Sequence, residues 1–296
     1  MSTHRPTLAL VLAAVAALSL AACSGGGGGA SASGGTSSQS GGGALAALKA
    51  SGVLKVGTEG TYAPFTYHDS TTGDLTGYDV EVITAVADKL GVKPEFNEVK
   101  WDAIFAGLEA RRYDIIANEV TENADRTAKY DLSDVYSVSY PVALVAADNS
   151  SLAALGDVKG KKSAQTATSN WGQLATDNGA QLVAVDGFTE AVAALRDGRV
   201  DLTFNDNLAA LSYFSTTKDT TVKIGFELPD QAVHQVFALR KDSGLVDAVN
   251  SALKELRADG TLAKISQKYF GSDISSPETA TAQPSSSSST SSQSGK

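Results

Sequence analysis

The sequence YDIIANEVTENADR, Tyr113 to Arg126, decides how the rest of the chain is interpreted. It begins as an apolar run typical of a buried parallel strand and ends in polar residues. Because ligands of open α/β sheets bind beyond the carboxyl ends of the strands, we expect Asn118, Glu119 and Thr121 to face a crevice. The guanidinium of Arg126 could bind a carboxylate or phosphate there, with the Thr121 hydroxyl beside it. A solvated acidic turn stays open as an alternative role for this arginine.

Alternating strand and helix patterns lead up to this stretch. Residues 53–57 and 93–98 predict strands, while residues 78–90 and 101–111 predict helices. Such an alternation implies a mostly parallel sheet with right-handed crossovers.

The last helix and strand of this series recur later in the chain. Residues 101–119, WDAIFAGLEARRYDIIANE, align without a gap on residues 188–206, FTEAVAALRDGRVDLTFND, at an offset of 188 − 101 = 87. The alignment places Asn118 on an asparagine and Glu119 on Asp206. Generic likeness between two helix–strand units is the alternative explanation. A true repeat predicts two similar lobes, each with an Asn-acid pair at a strand end, and one site shared between them.

Two apolar strands, starting near Tyr140 and Ala232, would carry the chain into a second lobe and back. This arrangement predicts a two-strand hinge. The predicted fold is therefore α/β, with lobe 1 formed by residues 44–139 and 234–274 and lobe 2 by residues 140–233. Each lobe should hold a mostly parallel sheet flanked by helices.

The two ends of the chain have different compositions from the centre. Residues 1–22 combine an early arginine with an apolar run, which is typical of a secretory signal peptide. Cys23, the only cysteine, follows Leu-Ala-Ala and resembles the lipobox of a bacterial lipoprotein. We expect a lipid on Cys23 rather than a free buried thiol, and hence an extracytoplasmic protein anchored to the cell membrane. Residues 23–43 should form a flexible Gly/Ser tether, and residues 275–296 a disordered Ser/Thr tail.

Charge and composition exclude several kinds of partner. A formal net charge of −9 and a pI near 4.8 argue against nucleic-acid binding. The three histidines are scattered, which argues against a metal site, and we expect no cofactor.

A second set of polar residues lies in the predicted second lobe. Thr168, Ser169 and Asn170 are residue types that cap helix N-termini, where free amides can bind an anion. Simple capping is the alternative. Asp206 at a strand end suits an ammonium group. Arg126 on one side and Asp206 on the other match the two charges of an α-amino acid.

Several motifs together resemble a known family. The segments TEGTYAPF, TGYDVEV, ANEVTENADRTAKYDLS, VKGKK, TSNWGQLA, FNDN and ADGTLAKISQKYFG occur in order across nearly all of residues 44–274. They resemble the periplasmic-type solute-binding proteins, family 3, of ABC importers for polar amino acids, and most closely the cystine- or cysteine-binding group. The resemblance implies a two-lobed, type II periplasmic binding protein fold.

The resemblance also implies three groups of ligand-binding residues. The α-carboxylate of the ligand would be bound by Thr121, Arg126, Thr168, Ser169 and Asn170. The α-ammonium would be bound by Asp206 and the backbone carbonyl of Glu119. The side chain would be surrounded by Tyr62, Phe65, Glu59, Trp101, Asn118 and Thr166.

The predicted function is capture without chemistry. A monomer would close on an amino acid and deliver it to the membrane permease and ATPase of an ABC importer. An enzyme on the same scaffold, such as a dehydratase or lyase with Glu59 or Glu119 as general acid, is the alternative. A sensory receptor domain would require a membrane span after Ile274, which we do not expect.

Overall fold

A computed structural model describes residues 39–276, with side chains from residue 42 onward. The predicted signal peptide, Cys23, most of the predicted tether and most of the predicted tail lie outside the described residues. The predicted tether and the predicted tail are each wrong at the end that the structure describes. Residues 39–43 are helical, because the helix continues into an apolar segment whose Leu48 is buried in the core. Ser275 and Ser276 are buried, since Arg257 donates a hydrogen bond to the Ser275 carbonyl.

Lobe 1 contains a six-stranded sheet, a small three-stranded sheet and the helices that cover them. Labels follow chain order. Its elements are α1 (Gln39–Ser51), β1 (Val53–Thr58), β2 (Thr61–Tyr62), β3 (Thr66–His68), β4 (Leu75–Thr76), α2 (Tyr78–Leu90), β5 (Lys93–Glu98), α3 (Trp101–Glu109), β6 (Ile115–Thr121), α4 (Ala124–Lys129), β7 (Tyr130–Leu132), β8 (Ser137–Ser139), β14 (Val233–Arg240), α8 (Val246–Ala258) and α9 (Thr261–Phe270).

Lobe 2 contains a five-stranded sheet and the helices that pack against it. Its elements are β9 (Pro141–Ala146), a 3₁₀ helix (Leu155–Val158), β10 (Lys162–Gln165), α5 (Asn170–Asp177), β11 (Gln181–Ala184), α6 (Phe188–Arg196), β12 (Leu202–Asp206), α7 (Asn207–Thr217) and β13 (Val222–Glu227).

Helix α2 shows how local sequence forms these elements. Val82, Ile83, Val86 and Leu90 recur at helical spacing and are buried against the lobe 1 core. Gly91 ends the helix in the left-handed conformation, with φ of 75°, which glycine adopts without strain.

The two main sheets have the same plan. Their strand orders are β5-β1-β6-β14-β7 and β11-β10-β12-β9-β13, and in each the fourth strand runs antiparallel to the other four. The two-lobed α/β fold with mostly parallel sheets is confirmed, and each sheet has one strand of opposite direction, β14 in lobe 1 and β9 in lobe 2. The reason is the connection between the lobes, because β9 and β14 enter each sheet from the opposite lobe and therefore run against its parallel strands.

The repeat found in the sequence is a structural repeat. Helices α3 and α6 begin 188 − 101 = 87 residues apart, and strands β6 and β12 begin 202 − 115 = 87 residues apart. Asp114 accepts a hydrogen bond from the Lys55 amide at 3.1 Å, and Asp201 accepts one from the Lys162 amide at 2.7 Å. Equivalent residues therefore tie equivalent strands together in both lobes.

The chain crosses between the lobes at two adjacent places. Strand β8 pairs with β14 in lobe 1, and Tyr140 leads directly from β8 into β9 of lobe 2. The return crossing ends at Val233, which pairs with Ser139. Both connections lie side by side, as a two-strand hinge requires.

Candidate ligand-binding site

A cavity lies between the lobes, beyond the carboxyl ends of β1 and β6 on one side and of β10 and β12 on the other. We call it the central cavity. It is lined by Glu59, Thr61, Tyr62, Trp101, Asn118, Glu119, Thr121, Gln165, Thr166, Ser169, Asn170, Trp171, Gly187, Phe188, Ala191, Thr203, Phe204, Asn205, Asp206 and Gln235. All the ligand residues predicted from the sequence are among these, except Phe65, Arg126 and Thr168.

The lobe 1 wall is built around Asn118. Its side-chain oxygen accepts hydrogen bonds from the Glu59 amide at 2.8 Å and the Thr58 hydroxyl at 3.2 Å. Its side-chain nitrogen donates to Glu59 Oε2 at 2.6 Å. Asn118 therefore fixes both the backbone and the carboxyl of Glu59, whose pKa is raised by burial to about 7.

Below this wall, Glu119 and Asp79 form a pair of buried carboxyls. Glu119 has a φ of 49°, an uncommon backbone conformation for a residue with a side chain, and its amide donates to Asp79 Oδ2 at 2.6 Å. Burial, followed by the charge of the neighbouring acids, raises the pKa of Glu119 well above its usual range. Burial also raises the pKa of Asp79. A proton is therefore retained between these carboxyls at neutral pH.

The lobe 2 wall presents Asp206, which is 1% exposed. Its Oδ1 accepts a hydrogen bond from the Ala209 amide at 2.7 Å, so it caps helix α7. Its Oδ2 accepts one from the Tyr62 hydroxyl of lobe 1 at 2.6 Å. Burial raises the pKa of this carboxyl, while the hydrogen bonds from Tyr62 and from backbone amides lower it.

Arg126 lies at the edge of the central cavity. Its guanidinium donates to the Thr121 carbonyl at 2.6 Å and stands 5.2 Å from the ring centre of Trp101 and 5.4 Å from that of Phe105. Burial lowers the pKa of Arg126 to about 10, which leaves it charged at neutral pH. It lines an adjoining space, the side cavity, which shares Ser169 and Asn170 with the central cavity.

Two predicted site residues have other roles. Phe65 is fully buried, with its ring 5.0 Å from that of Tyr62, because it belongs to the lobe 1 core. It therefore supports Tyr62 instead of lining the cavity. Thr168 lines the side cavity, where its hydroxyl and amide both donate to Asp102 of lobe 1 at 2.7 and 3.0 Å. The residue that caps helix α5 is Ser169.

Several residues of the site were not predicted from the sequence. The repeat alignment could have found two of them, because Phe188 corresponds to Trp101 and Asn205 to Asn118, and all four line the central cavity. Asp79 lies in the first turn of α2, where acidic residues are common, and only its complete burial distinguishes it. Gln235, on the return strand β14, carries no local signal.

Among residues 39–276, no group of histidine, cysteine and acidic side chains is arranged to hold a metal ion. In the same part of the chain, no helix has the length and apolar character needed to cross a membrane.

Comparison with known proteins identifies the family. Residues 54–272 match the bacterial extracellular solute-binding proteins, family 3. The chain belongs to this family, which confirms the resemblance in its sequence. It is 52% identical over 232 residues to the L-cystine-binding protein TcyA of Bacillus subtilis (strain 168), covering 78% of this chain and 85% of TcyA. The members of this family are solute-binding proteins, and this chain is a binding protein rather than an enzyme.

Two solved structures have a similar fold. An ancestral arginine-binding protein bound to arginine shares 36% identity, with a TM-score of 0.70 over 74% of this chain and 99% of that one. The L-cystine solute receptor of Neisseria gonorrhoeae, in its unliganded open conformation, shares 44% identity but a TM-score of 0.53, over 78% of this chain and 98% of the receptor.

Proposed function

We propose that this protein captures a polar amino acid between its lobes, with L-cystine as the first candidate, and delivers it to an ABC importer. The observation that carries the proposal is Asp206, a buried carboxylate on the wall of a cavity enclosed by both lobes. A buried charge needs a partner of opposite sign, and the α-ammonium of an amino acid supplies it.

The opposite end of the ligand has matching groups. Ser169 and Asn170 at the start of α5 belong to both cavities, and Arg126 faces them across the side cavity. A carboxylate placed at this junction would gain a guanidinium and the amides of a helix N-terminus. Thr121 lines the central cavity, and its backbone carbonyl accepts a hydrogen bond from Arg126.

The central cavity favours a ligand with a second positive charge. Its described lining includes the carboxyls of Glu59 and Asp206 but no lysine or arginine. Cystine carries two ammonium groups, so one could pair with Asp206 and the other with the carboxyl of Glu59. TcyA, by its name an L-cystine-binding protein, supports this choice. The arginine-bound ancestral protein makes arginine the principal competitor.

The proposal extends to the protein's location. The lipobox-like sequence before Cys23 would place a lipid there and hold a monomer outside the cytoplasm, beside its permease and ATPase partners.

Recovery of the ligand tests the proposal. Purified protein would be incubated with an equimolar mixture of amino acids including L-cystine and L-arginine, separated from free ligand, denatured and analysed by mass spectrometry. We expect one amino acid, chemically unchanged, in a ratio near one per chain. Recovery of no amino acid, or of a converted product, would contradict the proposal.

A further inference from the structure

Tyr62 makes a polar contact across the cavity in addition to its apolar ones. Its ring, on strand β2 of lobe 1, lies 5.0 Å from the ring of Phe65 and 6.5 Å, edge-on, from that of Phe188 in lobe 2. Its hydroxyl oxygen stands 2.6 Å from Asp206 Oδ2 and 2.6 Å from Asn205 Oδ1. The ring is therefore held by both lobes, with the hydroxyl aimed at the acid.

The hydroxyl has one hydrogen and two acceptors within reach. The Asp206 amide donates to Asn205 Oδ1 at 2.8 Å, which fixes the amide group with its oxygen towards Tyr62. Of the two acceptors, an ionised carboxylate forms the stronger bond. Burial, followed by the charge of Asp206, raises the pKa of Tyr62 well above its ordinary value of 10.0, so the hydroxyl stays a donor.

The other titratable groups around Asp206 oppose its ionisation, whereas backbone amides at the start of α7 favour it. The titratable groups that interact with Asp206 from the other elements are Tyr62 and the acids Glu119 and Asp79 of lobe 1. The charge of Glu59 also raises the pKa of Tyr62. Arg126, the basic group of the site, is held at Thr121. Asp206 Oδ1 is occupied by the Ala209 amide, which leaves the Tyr62 hydroxyl as the donor to Oδ2.

We propose that the Tyr62 hydroxyl of lobe 1 is a positioning group for Asp206 of lobe 2. It completes the ammonium site when the lobes close. This inference rests on the proposed role of Asp206 in binding an ammonium. The Tyr62 hydroxyl and Asp206 belong to different lobes, so this hydrogen bond stabilises the ionised form of Asp206 only in the closed state. An ionised carboxylate oxygen has two lone pairs, and the Tyr62 hydroxyl occupies one of those on Oδ2. Ligand capture and lobe closure are thereby coupled through one hydrogen bond.

The test replaces Tyr62 by phenylalanine, which keeps the ring and removes only the hydroxyl. Binding of L-cystine is measured by calorimetry at several pH values between 5.0 and 7.5, for wild type, Tyr62→Phe and the control Tyr67→Phe. Tyr67 lies in the same hairpin, on β3, outside the central cavity. Thermal unfolding of each unliganded variant verifies that it folds.

Loss of a hydrogen bond to a charged group should make Tyr62→Phe bind L-cystine about ten- to hundredfold more weakly than wild type at pH 7.5. The loss should grow as the pH falls, since Asp206 without this donor takes up a proton more readily. A structural role for the ring alone predicts equal affinities, and a general packing defect predicts a loss that does not vary with pH. Either result would overturn the proposal.

Failure of the proposed function is distinguishable from failure of this inference. Wild-type protein that binds neither L-cystine nor L-arginine would refute the function. In that case the unliganded proteins still test the contact, because loss of the hydroxyl should open the lobes and increase the radius of gyration in small-angle scattering. An unchanged radius would overturn the inference as well.

Discussion

Asp102 of lobe 1 accepts two hydrogen bonds from Thr168 of lobe 2, from the hydroxyl at 2.7 Å and from the amide at 3.0 Å. The Ala167 amide donates to the same carboxylate at 3.3 Å. This contact lies at the rim of the cleft and exists only when the lobes are together. A residue expected to bind ligand therefore binds the opposite lobe, and it favours the closed state directly.

Replacement of Asp102 by alanine should weaken ligand binding through closure. Loss of these exposed hydrogen bonds makes the closed state less populated, and we expect the Kd for L-cystine to rise about three- to tenfold. The matched control is Asp186→Ala, which removes the ion pair with Lys100 across the same cleft. Both of its side chains are more than 60% exposed, so this loss should change Kd less than about twofold. Equal effects of the two variants, measured by calorimetry, would argue against a special role for Asp102.

Removal of either charged end of the site should nearly abolish binding. Arg126→Ala leaves the ligand carboxylate unpaired, and Asp206→Asn leaves its ammonium unpaired. Breaking a buried charge pair costs about 3–5 kcal/mol, which raises Kd about a hundredfold or more. Arg112→Ala, at an exposed position outside the cavity, is the control and should bind as wild type does. Near wild-type affinity of Asp206→Asn would refute its role.

Asp79 should make the unliganded protein sensitive to pH. Burial raises its pKa from 3.8 to about 7, so above pH 3.8 the folded protein binds more protons than the unfolded chain. This group's contribution to the free energy of unfolding therefore falls as the pH rises from 3.8 to about 7. Asp79→Asn should gain stability relative to wild type between pH 5 and pH 8, by at least about 3 °C in Tm.

The control for this measurement is Asp88→Asn, an exposed position on the same helix. It makes the same substitution away from the buried pair of carboxyls. A melting-temperature difference for Asp79→Asn that stays constant with pH would show that no proton is retained at this pair of carboxyls.

Lipid attachment at Cys23 predicts membrane association. Cys23→Ser should leave the protein in the soluble fraction, because the Gly/Ser sequence that follows has no affinity for lipid. The expected result is release of most of the protein into the supernatant of a high-salt wash, detected by immunoblot. Sedimentation of the variant with the membranes, as for wild type, would refute the anchor.

Much of the fold could be predicted because its signals are local. The apolar spacing of α2, the strand β5 and the repeat at an offset of 87 residues are all visible in the sequence. The direction of β9 and β14 within the sheets could not be predicted in this way. It depends on how the chain passes between lobes, which is a property of the whole topology.

The site was predicted less evenly, for physical reasons. Asn118, Glu119 and Asp206 follow buried strands, whose ends must face the cleft. Phe65 and Tyr62 belong to one short motif, and sequence does not show which aromatic ring turns inward. The partner of Thr168 is 66 residues away, on a lobe that meets it only after closure. Contacts of this kind require the assembled structure.

The central claim is that the site recognises both charges of an amino acid, and one calorimetric comparison tests it most directly. Wild-type protein would be titrated with L-cystine and, separately, with N,N′-diacetyl-L-cystine, which keeps the disulfide and both carboxylates but has no ammonium. We predict a Kd on the order of 1 μM or below, about −8 kcal/mol, for L-cystine and no detectable heat for the acetylated compound. Comparable binding of the two compounds would contradict the account, since Asp206 would then not be binding an ammonium group.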